Sequence, residues 1–94
     1  GGRRVTAVRR RAVAHGLVQG VSFRAATRTV ALARDVAGWA RNLPDGSVEV
    51  VLEGAPADVE EVLAFCRRGP RGARVDRVEV AAEAPEGLRG FEVR

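Results

Sequence analysis

Apolar and polar residues alternate along four stretches of the chain, which is the pattern of strands that bury one face. The predicted strands span Arg9–His15, Gly38–Leu43, Ser47–Glu53 and Arg74–Glu83. In the first strand, Ala12 and Ala14 share one face, and Arg11, Val13 and His15 share the other. In the third strand, the residues expected to point inward are Val48, Val50 and Leu52, and those expected to point outward are Glu49, Val51 and Glu53. The fourth strand is expected to bury Val78 and Val80.

Apolar residues at helical spacing predict two helices between these strands. The first helix begins near Ser22, a residue type favoured at N-caps, and ends near Arg34. Its predicted buried stripe comprises Phe23, Thr27, Val30 and Ala31. The second helix opens within residues 54–58, and its stripe comprises Val59, Val62, Leu63 and Cys66. Since Cys66 falls in this stripe, we interpret it as a small core residue and not as a nucleophile.

The element order is strand, helix, strand, strand, helix, strand, and the short segment Gly90–Arg94 can add an edge strand. With this order, the two helices must cover one face of a single antiparallel sheet of four to five strands. We therefore predict that residues 9–94 form one α+β domain, a ferredoxin-like βαββαβ sandwich. Residues 1–8 are expected to be a disordered or non-native N-terminus. Such a fold implies no function by itself.

The composition narrows the class of protein. With 94 residues, 46% of them hydrophobic, the chain suits a single soluble domain. No apolar run could span a membrane and no secretory signal pattern is present, so we expect a cytoplasmic protein. The net charge of +4 favours anionic ligands. One cysteine excludes an internal disulfide, and no metal or other cofactor is expected, because His, Cys and carboxylates do not occur at ligand spacing.

The segment 16–24, Gly-Leu-Val-Gln-Gly-Val-Ser-Phe-Arg, carries the candidate chemistry. It joins the first strand to the first helix, and Gly16 and Gly20 allow the backbone to turn successive N–H groups towards one point. The helix adds unpaired N–H groups and the positive end of its dipole, and Arg24 lies in its first turn. This combination suits a tetrahedral dianion such as phosphate. An ordinary glycine turn beside a solvated arginine would have the same local sequence.

Two motifs resemble the signatures of the acylphosphatase family. Residues 16–24 match Gly-x-Val-Gln-Gly-Val-x-Phe-Arg, and residues 38–48, Gly-Trp-Ala-Arg-Asn-Leu-Pro-Asp-Gly-Ser-Val, match Gly-aromatic-small-basic-Asn-x-x-x-Gly-x-Val. The resemblance extends over nearly the whole chain. It departs at Ala14, where the family usually has a larger apolar residue. It also departs at Arg34–Asp35, where the family commonly has Leu-Gly, and this predicts a slightly strained helix end.

The resemblance implies an acylphosphatase, which hydrolyses the carboxyl–phosphate anhydride of acyl phosphates to carboxylate and inorganic phosphate. Arg24 would bind the phosphate, and Asn42 would hold the attacking water, which an amide can orient without titrating. Spacing alone does not place Asn42 near Arg24. The residues whose backbone amides would join Arg24 at the phosphate are Leu17, Val18, Gln19, Gly20 and Val21. Because a carboxylate leaves readily, direct attack by water is expected, with no metal and no covalent intermediate.

Two other functions stay open at this point. One is a non-catalytic module that binds phosphate or carbamoyl phosphate, because an acylphosphatase-like domain also begins the large hydrogenase-maturation proteins. Those continue into cysteine-rich zinc segments, so this sequence favours a free-standing enzyme. The other is RNA binding through the same topology, but the chain has only three Phe and one Trp with which to stack bases. We expect a monomer whose partners are an acyl phosphate and inorganic phosphate, with no nucleic acid and no membrane. His15 is expected to be a half-exposed strand residue without a general-base role.

Overall fold

The computed structural model describes residues 6–94, which form a five-stranded sheet and two helices. The elements are β1 (Val8–Leu17), α1 (Phe23–Ala33), β2 (Ala37–Asn42), β3 (Val48–Gly54), α2 (Pro56–Arg68), β4 (Arg74–Glu83) and β5 (Phe91–Val93). The strand order in the sheet is β4-β1-β3-β2-β5. The predicted ferredoxin-like α+β sandwich is confirmed. Residues 1–5 of the expected N-terminal segment lie outside the described residues, whereas Val8 already belongs to β1 and pairs with Gly54.

The first four strands pair antiparallel, and only the last pair of the sheet is parallel. β1 lies between β4 and β3, and β2 pairs with the other edge of β3. β5 pairs with β2 in parallel, with Phe91 beside Gly38. The sequence predicts this edge strand as part of an antiparallel sheet, and its parallel pairing with β2 corrects that prediction. The strand is parallel because the chain reverses once after β4 and crosses to the far edge, where β2 runs opposite to β4.

Both helices pack on one face of the sheet and close a single apolar core. On the helix-facing side of β1 and β3, Ala12, Ala14 and Leu52 are at most 1% exposed. The second helix buries its whole predicted stripe, Val59, Val62, Leu63 and Cys66. The first buries Phe23, Thr27 and Ala31, and Val30 is half-buried against the same cluster. Within residues 6–94, neither helix is long and apolar enough to cross a bilayer.

The opposite face of the sheet is covered by paired charges. Arg9 Nη1 lies 2.7 Å from Glu53 Oε2, and Arg9 Nε lies 2.8 Å from Glu83 Oε1. Arg11 bridges Glu49 and Glu83. Glu49 and Glu53 do point away from the helices, as predicted, yet they are only 7% and 5% exposed. The arginines of the neighbouring strand cover them, and this neutralises carboxylates that burial would otherwise destabilise.

Trp39 lies on this charged face, surrounded by arginines. The guanidinium carbons of Arg11, Arg41 and Arg94 lie 5.7, 5.2 and 4.5 Å from the centre of its ring. At these distances each cation is attracted to the ring face. The indole is thereby reduced to 8% exposure without any helix above it.

The edge strand β4 is less buried than the sequence predicted. Val75 and Val78 are half-buried and pack against the core, but Val80 is 40% exposed. The prediction that Val80 is buried was wrong. Alternation gives the correct face, but Val80 lies further along the outermost strand of the sheet, beyond the packed cluster.

Candidate active site

The loop between β1 and α1 opens its backbone amides to one side. Gly20 has φ of 76° and Ser22 has φ of 59°, so residues with positive φ stand on both sides of Val21, whose φ is not positive. Such alternation turns successive N–H groups towards a common point. Ser22 stands at the N-cap position as predicted, but its hydroxyl makes no capping hydrogen bond. In the part of the chain that the structure describes, no N–H of residues 19–25 donates a short, well-aligned hydrogen bond to a protein acceptor. These donors remain available to an anion.

Arg24 lies in the first turn of α1 and is half-buried. Its Nη1 donates to the carbonyl oxygen of Arg94 at 2.5 Å. The N–H of Arg94 in turn donates to Ala40 O at 2.8 Å, so the segment that holds Arg24 is fixed to β2. The guanidinium keeps its other N–H groups for a ligand. It is therefore restrained on one side and open on the other.

Asn42 is the last residue of β2 and precedes a tight turn. The predicted hairpin at Pro44–Asp45–Gly46 is present: Leu43 N–H donates to Ser47 O at 2.9 Å, and Gly46 has φ of 92°. Asp45 Oδ1 accepts from the hydroxyl and from the N–H of Ser47, and these bonds hold the pKa of Asp45 below its ordinary 3.8. The side chain of Asn42 is exposed and makes no hydrogen bond to any protein group within residues 6–94. Its amide is thus free to hold water.

A cavity of about 370 Å³ brings the loop, the arginine and the asparagine together. It is lined by Val18, Gln19, Gly20, Ser22, Phe23, Arg24, Ala25, Asn42 and Val93. Arg24 and Asn42 are separated by a helix and a strand in the sequence. In the structure, both line the same cavity. An anion placed on the loop amides would have the guanidinium and the free amide group within the same cavity.

Two of the five expected loop residues are not among those that line the cavity, and the role of their backbone amides stays a prediction. Leu17 is the last residue of β1 and pairs with Arg74 of β4, and Val21 packs against the core; neither lines the cavity. The lining residues that the sequence did not predict are Ser22, Phe23, Ala25 and Val93. The first three follow from the N–H groups exposed at a helix start. No local sequence pattern predicts that Val93 lines the cavity, because Val93 lies on β5 near the other end of the sequence.

Gln19 connects this loop to the turn that follows Asn42. Its Nε2 donates to Leu43 O at 2.8 Å and to Ser47 O at 3.0 Å. Both acceptors belong to the hairpin, and the backbone of Gln19 belongs to the loop. The two walls of the cavity are therefore joined by one side chain.

The remaining chemically active side chains lie outside the cavity. His15 is half-buried on β1, with Nε2 2.8 Å from Glu79 Oε1, where the N–H is poorly aligned for a hydrogen bond. Cys66 is 0% exposed, and burial raises the pKa of its thiol to about 11. In the described part of the chain, no three His, Cys, Asp or Glu side chains come together as a metal-ligand set. The cavity thus contains an arginine and amides, and no activated nucleophile lines it.

These features define a small α+β domain with a cavity suited to an anion at the junction of a loop, a helix start and a strand end. The acylphosphatase family model matches residues 10–93. The acylphosphatase of Gloeobacter violaceus is 57% identical over 88 residues, which cover 94% of this chain and 95% of that protein. The chain therefore belongs to the acylphosphatase family, and it is a hydrolase that acts on acid anhydrides.

Solved structures agree with this assignment. The acylphosphatase from Bacillus subtilis superimposes with a TM-score of 0.90 at 30% identity, covering 93% of this chain and 98% of that one. The same fold also occurs inside a longer protein: HypF of T. kodakarensis matches with a TM-score of 0.80 at 30% identity, but only 12% of that chain is covered.

Proposed function

We propose that this protein hydrolyses acyl phosphates by direct attack of a water molecule, with Arg24 and the loop amides holding the phosphate and Asn42 orienting the water. One observation carries the proposal: Arg24, the open loop and the unpaired amide of Asn42 line one cavity. The family supplies the substrate class, a carboxyl–phosphate anhydride, and the products, a carboxylate and inorganic phosphate.

The reaction needs little beyond positioning and charge stabilisation. The water oxygen attacks phosphorus while the bond from phosphorus to the acyl oxygen breaks, and the carboxylate leaves with the electron pair. A phosphoryl oxygen of the substrate accepts the proton of the water. The loop amides and Arg24 stabilise the equatorial oxygens as charge moves onto them. Asn42 places the water opposite the leaving group, which replaces a bimolecular encounter with a positioned one.

Asn42→Ala is the test that separates this enzyme from a module that only binds phosphate. We expect the turnover number to fall by about 10²- to 10³-fold, since one preorganised polar contact is lost. Inhibition by inorganic phosphate should stay near that of the wild type, because the loop and Arg24 remain. A binding module would show negligible turnover of benzoyl phosphate in the wild type as well. Near-normal turnover of Asn42→Ala per folded molecule would remove Asn42 from the mechanism.

Arg24 is expected to contribute to both binding and turnover. Arg24→Ala should weaken inhibition by phosphate and lower the turnover number, and Arg24→Lys should recover part of both, because a point charge lacks the planar fork. Arg71→Ala is the matched control, since Arg71 is exposed and does not line the cavity. If phosphate inhibits Arg24→Ala as strongly as it inhibits the wild type, the assigned role is wrong.

The proposal extends to a metal-free monomer that acts in the cytoplasm. Hydrolysis of benzoyl phosphate should persist in excess chelator and should not rise when Mg²⁺ is added. Sedimentation at enzyme concentrations used in assays should give the mass of one 10.0 kDa chain. Loss of activity in chelator with recovery in Mg²⁺ would overturn the metal-free mechanism.

A further inference from the structure

We propose that the side chain of Gln19 positions Asn42 relative to the phosphate loop, so that Gln19 is a positioning residue for the hydrolysis. This inference rests on the proposed function of the same cavity. Gln19 contributes its backbone to the loop, and through Nε2 it donates to two carbonyl groups of the opposite wall. One of them, Leu43 O, belongs to the residue that directly follows Asn42.

These two hydrogen bonds have no substitute in the described residues. Among the side-chain hydrogen bonds of residues 6–94, only those of Gln19 join the loop of residues 18–24 to the segment 42–47. The hairpin closes by itself, through Leu43 N–H to Ser47 O at 2.9 Å, but that bond does not fix where the turn lies relative to the loop. The amide of Gln19 does so, because both its N–H groups have an acceptor there.

The two hydrogen bonds of Gln19 affect the reaction through the distance between the phosphate loop and Asn42. The phosphate is located by the loop, and the water is located by Asn42, so an in-line attack requires these two walls to keep a fixed separation. A displacement of about 1 Å can cost about 10²-fold in rate even when no reacting group is lost. Gln19 is half-buried, which favours one stable side-chain conformation. Its contribution should therefore appear in turnover and not in phosphate binding.

The two hydrogen bonds donated by Gln19 predict how two substitutions at this position should behave. Gln19→Met keeps the length of the side chain and removes both hydrogen bonds. Gln19→Glu places a carboxylate against two carbonyl oxygens, which repel it. When that carboxyl group is protonated it can donate one hydrogen bond again. Activity of Gln19→Glu relative to the wild type should therefore rise as the pH falls through the pKa of the new carboxyl group, whereas Gln19→Met should show no such recovery.

The experiment is a double-mutant cycle with Asn42→Ala, using benzoyl phosphate turnover and inhibition by inorganic phosphate. We expect Gln19→Met to lower the turnover number by about 10- to 100-fold and to leave phosphate inhibition within about threefold. In the Asn42→Ala background the same substitution should have almost no further effect on turnover, since residues that act as a unit are not additive.

The possible outcomes are distinct. Equal losses from Gln19→Met in both backgrounds, or a lower melting temperature with normal turnover per folded molecule, would overturn the inference and leave Asn42 in place. Normal turnover of Asn42→Ala would overturn both the inference and the proposed function. If Gln19→Met does not fold, the pH profile of Gln19→Glu against the wild type decides: recovery of the turnover number at low pH with unchanged inhibition by phosphate supports the inference, and no recovery, or recovery that only follows stronger phosphate inhibition, overturns it.

Discussion

Glu53→Gln should be among the most destabilising single-atom changes in this protein. Glu53 Oε1 accepts from the N–H groups of Gly87 and Leu88 at 3.0 and 3.1 Å. Oε2 accepts from Arg9 Nη1 at 2.7 Å and from Glu86 N–H at 3.0 Å. Each oxygen thus faces two donors. An amide replaces one oxygen by NH₂, and in either orientation that NH₂ group faces two donors.

The size of the stability loss follows from the burial of Arg9 and Glu53. Arg9 and Glu53 are 4% and 5% exposed, and Glu53→Gln would leave the buried arginine with the half-buried Glu83 as its nearest remaining counter-charge. Removing one partner of a buried ion pair costs about 3–5 kcal/mol. For a domain of this size, 1 kcal/mol corresponds to about 4–8 °C in melting temperature. We therefore expect the melting temperature of Glu53→Gln to fall by at least about 12 °C.

The effect should depend on pH with a definite sign. Desolvation raises the pKa of Glu53, but hydrogen bonds from Glu86, Arg9, Leu88 and Gly87 outweigh it, so the pKa lies below the ordinary 4.5. A carboxyl group with a lowered pKa stabilises the fold above its unfolded pKa, and this contribution is lost as the pH falls through the folded value. The stability difference between wild type and Glu53→Gln should be constant above pH 4.5 and should shrink below it.

Urea unfolding across that pH range measures both quantities, and Glu86→Gln is the matched control. The carboxylate of Glu86 is 66% exposed and 3.6 Å from Arg9, so its loss should change the free energy of unfolding by less than about 1 kcal/mol. A loss below about 1 kcal/mol for Glu53→Gln at neutral pH, or a difference that grows at acid pH, would refute this account of the buried pair.

Three further substitutions or reagents test other parts of the structure. Asp35→Gly should stabilise the protein by up to about 1 kcal/mol in urea unfolding, because Asp35 has φ of 55° and glycine adopts that conformation without strain. Asp35→Ala should give no such gain. Gly38→Ala should abolish folding or cost several kcal/mol in a melting experiment, because the new Cβ would lie 1.7 Å from Val51 O. The control Gly46→Ala places its Cβ in open space and should cost about 1 kcal/mol. A thiol reagent at neutral pH should label Cys66 only in denaturant, since the thiol is fully buried; rapid labelling of the native protein would contradict its place in the core.

The local pattern predicted the fold because each signal lay within one element. The stripe of α2 appears at helical spacing, and its four residues are all buried. The strain expected at Arg34–Asp35 is present as the left-handed conformation of Asp35. Features that depend on the packing of distant segments could not be predicted from local sequence patterns. The parallel direction of β5 and the pairing of Leu17 with Arg74 are set by strands far apart in the sequence.

The same limit applies to the cavity. The glycines of the loop and Arg24 at the helix start predict an anion site from the sequence alone. The placement of Asn42 opposite that loop came from the family resemblance, since no spacing rule relates residues on different elements. Val93 and the carbonyl of Arg94 enter the site only because β5 docks beside β2. The sequence predicts an edge strand in that segment and gives it no part in the chemistry.

Trp39 gives this protein an intrinsic optical probe of the candidate active site. It is the only tryptophan in the chain. Arg94 contributes the cation nearest to its ring, at 4.5 Å, and the same residue's carbonyl oxygen receives the hydrogen bond of Arg24. Indole emission responds to nearby charge, so a ligand that draws Arg24 away from Arg94 changes the surroundings of the fluorophore. A phosphate titration followed by intrinsic fluorescence can therefore report occupancy of the cavity without a label, a substrate or a turnover.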